Sequence, residues 1–346
     1  MCAIFNPNVI HRGIKPLRQF QPPSAASRFG FAADVGRPMV PRETSNIMER
    51  TARFRSCRFT RFSRGHCALL MLVAAASLAF GQYRRGGFRI PENARTAREI
   101  GTRSVDTPMW ENPTGFDHDV FTFTRLRYGG DGWRGGVGGG SWSTDLPDAD
   151  LNLSFRLQQM TSLKVDPRGR LIRAHEPDLV NYPFLMAAAP GAMDLGENEV
   201  VGLRKFLLNG GFFLLTDFWG DREWNHFAGV MKQVLPTHSF VELSLDHPIY
   251  HCLFPIRKKN QVPRIDIGVA NLSSGSPTWE RGPDGEEVHH RAIFDDKGRL
   301  MVLALHNSDD SDGWEREGES TAYFHAFAEG MAYPLAINII FYVMTH

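Results

Sequence analysis

The sequence predicts a single α/β domain of Rossmann-like architecture, a mostly parallel sheet with helices on both faces. Strand-length apolar runs alternate with helix-length segments from about residue 119 to the C-terminus, the pattern of β-α units joined by right-handed crossovers. The run Phe212-Phe-Leu-Leu-Thr216 has no polar face, which suits a strand covered by helices on both sides. There is no internal repeat, and 346 residues with 42% hydrophobic content are enough to bury a large core.

The elements follow in order. Residues 120–128 alternate apolar and polar side chains, as a strand does, and residues 129–140 are glycine-rich. Between 141 and 160, Leu151 and Phe155 recur at helical spacing with Asp148 placed as a cap. A buried strand is expected over 182–189 and a helix over 197–208, stopped by Asn209-Gly210-Gly211. After the strand 212–216 comes a helix over 221–234, then a less regular stretch beyond Pro236. Residues 288–305 read as two strands around the turn Asp295-Asp-Lys-Gly298. The last helix begins near Thr321 and restarts at Tyr333-Pro334; its final apolar stretch is short for a membrane span and reads as a core helix.

The first 81 residues read as a leader. Residues 1–66 hold twelve Arg or Lys against three acids and show no apolar periodicity. The apolar run 67–80 follows, closed by Gly81-Gln82, which is the layout of a secretory signal; a retained signal anchor is the alternative. Met48 is a second candidate start. Residues 82–118, rich in Arg, Pro and Gly, read as a linker or docked arm, and residues 119–346 as the α/β domain.

Removing the leader leaves 27 basic and 35 acidic residues, a net charge of −8, which disfavours nucleic acid as a partner. Cys2, Cys57 and Cys67 leave with it, so Cys252 alone remains and no internal disulfide forms.

Six blocks in the ordered part carry a family resemblance: residues 144–153; Leu208-Asn-Gly-Gly-Phe212 with Asp217-Phe-Trp-Gly220; Leu245-Asp-His-Pro-Ile249; residues 291–299; His306-Asn-Ser-Asp309 with Asp312-Gly-Trp-Glu315; and Tyr333-Pro334 to Thr345-His346. Together they resemble the bacterial domain of unknown function 4159, over about residues 119–346. The resemblance implies a class I glutamine amidotransferase-like fold, itself Rossmann-like, and an envelope or membrane-associated setting; it implies no activity. True amidotransferases need a nucleophilic Cys on a tight strand-to-helix turn. Here Cys252 sits among bulky residues in Tyr250-His-Cys-Leu-Phe254, which argues against amidotransfer.

Open α/β sheets bind ligands at the carboxyl ends of their strands. The residues expected there are Trp142, Asp145 and Asp150 in the loop after the first strand, Asp217 and Trp219 after another, and His306, Asn307, Asp309, Asp312 and Trp314 after the last. The competing reading makes Asp217 a helix cap and Trp219 core filling. His247 and His251 stand four apart behind Pro248, a metal-ligand spacing that Asp217 or His306 would complete. Residues 308–319 share offsets with a calcium loop through Asp310, Asp312, Gly313 and Glu319, but Ser308 replaces the leading acid and a strand precedes it, so an acidic turn is preferred. His289-His290 reads as exposed beside a hairpin, and the fingerprint Gly130-Asp-Gly-Trp-Arg-Gly135 stands too far from the next helix to hold a phosphate.

These readings lead to two expectations. The first is a non-catalytic binding module of the cell envelope, periplasmic or secreted, that takes a polar small molecule or an envelope protein in the cleft lined by Asp145, Asp217, Trp219, His306 and Trp314. The second is a metal-dependent hydrolase of a polar envelope substrate, with a divalent metal held by Asp217, His247, His251 or His306 and Asp309 as base.

Overall fold

A computed structural model describes residues 90–115, 119–129 and 141–346. The leader and the glycine-rich segment with Gly130 to Gly135 lie outside them. Among the described residues seven strands form one sheet: β1 (Thr124–Leu126), β2 (Arg170–Ile172), β3 (Phe184–Ala188), β4 (Phe212–Thr216), β5 (Val241–Glu242), β6 (His289–Phe294) and β7 (Leu300–His306). Their order is β2-β1-β3-β4-β7-β6-β5. The first five run parallel, and β6 and β5 add an antiparallel edge. The chain is therefore α/β with a mixed, mostly parallel sheet.

Helices cover both faces. On one lie α1 (Asp148–Met160) and α6 (Thr321–Thr345), whose Leu153, Leu157, Ile337 and Ile340 share a core with Phe184, Met186, Phe212 and Leu214. On the other lie α2 (Glu197–Leu208) and α3 (Gly220–Val234), whose Leu203, Phe206, Phe227 and Met231 meet Leu185, Ala187, Phe213 and Leu215. Alternate residues of β3 and β4 thus enter opposite cores, which is why neither strand has a polar face.

Several expected elements change. The first strand shrinks to three residues, with Phe121 joined to Val165 by an isolated bridge. β2, β5 and helix α4 (Ile265–Ser274) lie where the sequence shows no clear period; α4 buries only Gly268, whose added Cβ would come within 2.6 Å of the Tyr323 ring. His290, expected to be exposed, is fully buried, because its place in β6 turns it inward and Tyr250 Oη meets its Nδ1 at 2.7 Å.

The C-terminal helix runs unbroken for 25 residues, through a π-helical stretch Phe324–Ala332. Pro334 falls in the first turn of the α-helix that follows, where its missing N–H is tolerated. By length and composition the helix is long and apolar enough to cross a membrane, longer than the short final stretch expected from sequence, and 56% of its most apolar window is buried inside the fold.

The described part of the arm is docked. Ile90, Ala94, Ala97 and Ile100 pack on Leu146, Leu151 and Leu171. Leu171 N donates to Arg95 O at 2.8 Å, and Trp110 Nε1 donates to Val165 O at 2.9 Å.

Candidate functional site

The parallel strands deliver their following loops to one edge of the sheet, and the backbone there is unusual. Ala189 (φ 48°), Asp217 (φ 59°) and Asn307 (φ 63°) follow β3, β4 and β7 in the left-handed region, and Asp145 (φ 61°) adopts it in the loop before α1. Each non-glycine residue held so costs about 1 kcal/mol, which the surrounding contacts must offset. Asp217 N donates to Ser308 O and Asn307 N to Phe218 O, both at 3.0 Å, so the β4 and β7 loops are zipped together.

The same contacts settle the cap of α3. The N–H groups at its start, which have no partner within the helix, go to Glu223 Oε2 (from Trp219, 2.9 Å), Asn307 Oδ1 (from Gly220, 2.7 Å) and Asp284 Oδ2 (from Asp221, 3.0 Å). None of these acceptors is Asp217. Gly220, at φ 71°, admits no side chain, since an added Cβ would stand 2.3 Å from Asp284 Oδ2.

Freed from capping, Asp217 faces other carboxylates. One oxygen each of Asp145, Asp217 and Asp309 lies within 4.8 Å of the others, and all three residues are buried. Asp145 belongs to a second such group with Asp312 and Glu315. Asp309 Oδ1 caps the short helix α5 (Asp310–Glu315), accepting from Asp312 N at 2.9 Å, and Asp312 Oδ2 accepts from Ile265 N at 2.7 Å. Asp145 Oδ2 is buried with no hydrogen-bond partner among the described residues.

Burial and mutual repulsion push these acids upward. For Asp217 desolvation is the main cause, then Asp145 and Glu280, with Arg281 pulling back. For Asp309 the causes are desolvation, then Asp217, Asp145 and Asp312. Asp145 is raised by desolvation, against Ser311 and Arg125. Desolvation followed by Asp145 carries Asp312 to about 7 and Glu315 to about 9, although Arg316 opposes both.

The remaining expected residues fall elsewhere. Asp150 does not line a cleft: Arg125 Nε reaches its carboxylate oxygens at 2.9 and 3.0 Å, both side chains are buried, and the pair is closed. Arg125 also donates to Thr144 O at 2.8 Å and Trp142 O at 3.2 Å, fixing the loop that carries Asp145. Trp142 is half-buried, with the Arg127 guanidinium 4.9 Å above its ring. Trp219 and Trp314 are core residues whose Nε1 atoms lack partners among the described residues. Asn307 is a clamp, its Nδ2 donating to Asp284 O at 3.1 Å and Glu287 O at 2.7 Å.

The expected histidine metal site is not assembled. Asp217, His247, His251 and His306 do not form one of the groups that gather ligand atoms. His306 has Arg291 Nη1 at Nδ1 (2.9 Å) and Gly220 O at Nε2 (3.0 Å), so both nitrogens are engaged. His247 Nδ1 accepts from Ile249 N at 3.3 Å, and His251 Nε2 lies 2.7 Å from Leu245 O. The two flank the single turn Pro248–Tyr250 as its caps and do not share a helical face. The calcium-loop offsets fail as well, because residues 310–315 coil into α5 and Glu319 pairs with Arg316. Cys252 holds its thiol 3.4 Å from Asn338 O, and burial raises its pKa, the reverse of an activated nucleophile.

The donor set that converges is therefore oxygen-only, which suits hard cations such as magnesium, manganese or calcium over zinc. Arg125, Glu315 and Arg316 are not among the site residues expected from sequence, although Glu315 closes one of the family blocks; the acidic density of 309–319 was the available sign. None of the curated proteins compared matches the chain. The model of the domain of unknown function DUF4159 matches residues 122–344, and the chain belongs to that family.

Proposed function

We propose that this chain is a cation-dependent binding module of the cell envelope, in which Asp145, Asp217 and Asp309 hold a hard divalent cation that in turn receives a polar or anionic ligand. The observation that carries this reading is the partnerless Asp145 Oδ2, buried in a group of three carboxylates gathered from three separate loops. Such a group is costly to bury unless an opposite charge joins it. The basic leader followed by an apolar run, and the acidic balance of the rest, support export. The sheet order, with five parallel strands and an antiparallel edge, is compatible with a class I glutamine amidotransferase-like ancestry in which the strand-to-helix turn carries Asp217 in place of a nucleophilic cysteine.

A metal-dependent hydrolase of a polar envelope substrate is the second reading. The strained turn at Asp217 favours it, since reacting side chains often stand on such turns. Its ligands are then carboxylates and not His247, His251 or His306.

Thermal denaturation of the full chain with magnesium, manganese and calcium tests the common core of both. A cation that binds only the folded state adds about 2.7 kcal/mol at a hundredfold excess over its Kd. We expect at least one of the three to stabilise the chain and Asp217→Asn to abolish the effect. No stabilisation by any of them, or equal stabilisation of the variant, contradicts the proposal.

A further inference from the structure

We propose that the site is binuclear, with Asp145 as the bridging carboxylate between a first cation held by Asp217 and Asp309 and a second held by Asp312 and Glu315. This rests on the cation-binding reading above and deepens it. Asp145 is the member common to both three-carboxylate groups, and its buried Oδ2 lacks a partner among the described residues.

Charge balance leaves room for a second cation. Around the site, Asp150 pairs with Arg125 and Glu223 with Arg281, while Glu280 shares Arg264 with Asp266. The two groups together hold five carboxylates, and among the described residues Arg316 makes ion pairs with them, 3.1 Å from Asp312 and 2.6 Å from Glu315. Entering cations displace the protons that burial keeps on these acids, and with all five carboxylates ionised beside Arg316 a first divalent cation leaves two negative charges for a second to meet. Arg316 keeps about a third of its side chain exposed (29%), so it can yield to an entering cation by turning toward solvent while its stem stays packed.

Two ions bridged by one carboxylate stand about 3.5–4 Å apart, the spacing of centres that clamp both ends of a phosphoryl or carboxyl group. The class of ligand implied is therefore an anion with two oxygens to offer, a phosphoryl or carboxylate group.

Equilibrium dialysis of the full chain against manganese(II), with elemental analysis and electron paramagnetic resonance, tests this. We expect two manganese ions per chain with an exchange-coupled spectrum. Glu315→Gln reduces the content to one ion with an uncoupled spectrum, and Arg316→Met tightens the second equivalent about tenfold. One ion per chain in the unaltered protein overturns the binuclear site and leaves the first cation standing. None overturns both, and two ions that are uncoupled, or that survive Glu315→Gln, place the second elsewhere and overturn this inference alone.

Discussion

Asp145 and Asp150 are five residues apart, both are buried, and they are treated in opposite ways. Asp150 receives a two-pronged guanidinium from Arg125 and becomes part of the frame that joins β1 to α1. Asp145 receives more carboxylates, and one of its oxygens has no hydrogen-bond partner among the described residues. Burial of the first charge is balanced within the polypeptide; on the proposed reading, burial of the second is balanced by a bound cation.

The comparison breaks most visibly at the matched pair. Arg125→Met strands Asp150 and loosens the loop that carries Asp145, so urea denaturation is expected to show a loss of about 3–5 kcal/mol, with or without divalent cation. A loss well under that range makes the pair dispensable and removes the contrast. Asn307→Ala deletes acceptor and donor contacts to Gly220, Asp284 and Glu287 and forces alanine into a left-handed backbone, for an expected loss of about 2 kcal/mol by the same measurement.

At the unmatched group the sign reverses. Asp217→Asn keeps a residue type that tolerates φ 59° and removes one of the repelling charges, so the cation-free chain is expected to gain on the order of 1 kcal/mol at pH 8. The pH dependence follows from the same group. Carboxyls raised in the folded state stabilise it fully below their ordinary value near 4 and lose that contribution as pH rises through about 7 for Asp312 and about 9 for Glu315. His290 and His306, lowered by burial to about 3, act on the other side, contributing above 6.5 and losing that contribution as pH falls toward 3. Between pH 6.5 and 9 the carboxyls act alone of these two sets. There the melting temperature of the cation-free chain is expected to fall as pH rises, and a bound divalent cation to remove most of the fall. The smallest effect is the sharpest control: His247→Ala combined with His251→Ala leaves the cation response unchanged and moves stability by about 0.5 kcal/mol or less.

Much of the frame was legible in the residues. The runs 197–208 and 212–216 matched their elements because their period and their stop at Asn209-Gly210-Gly211 are local properties of the chain. The strand-end principle likewise pointed to Asp145, Asp217 and Asp309, because where parallel strands end is set by the same alternation. What stayed hidden depends on contacts between distant segments. Asp150 reads like Asp145 until Arg125, 25 residues earlier, is seen to reach it. His247 and His251 have ligand spacing in the chain, but a single turn between them and local backbone partners prevent a shared face. Pro334 looks like a helix break and is not one, since a π-helical stretch leads into it.

The most direct test is calorimetric titration of magnesium, manganese and calcium into the full chain at neutral pH, beside the Asp145→Asn variant. Asp145 belongs to both carboxylate groups, so the account predicts saturable binding of at least one of these cations by the unaltered chain and its loss in the variant. Absence of binding in the unaltered chain, or binding of undiminished affinity in Asp145→Asn, contradicts it.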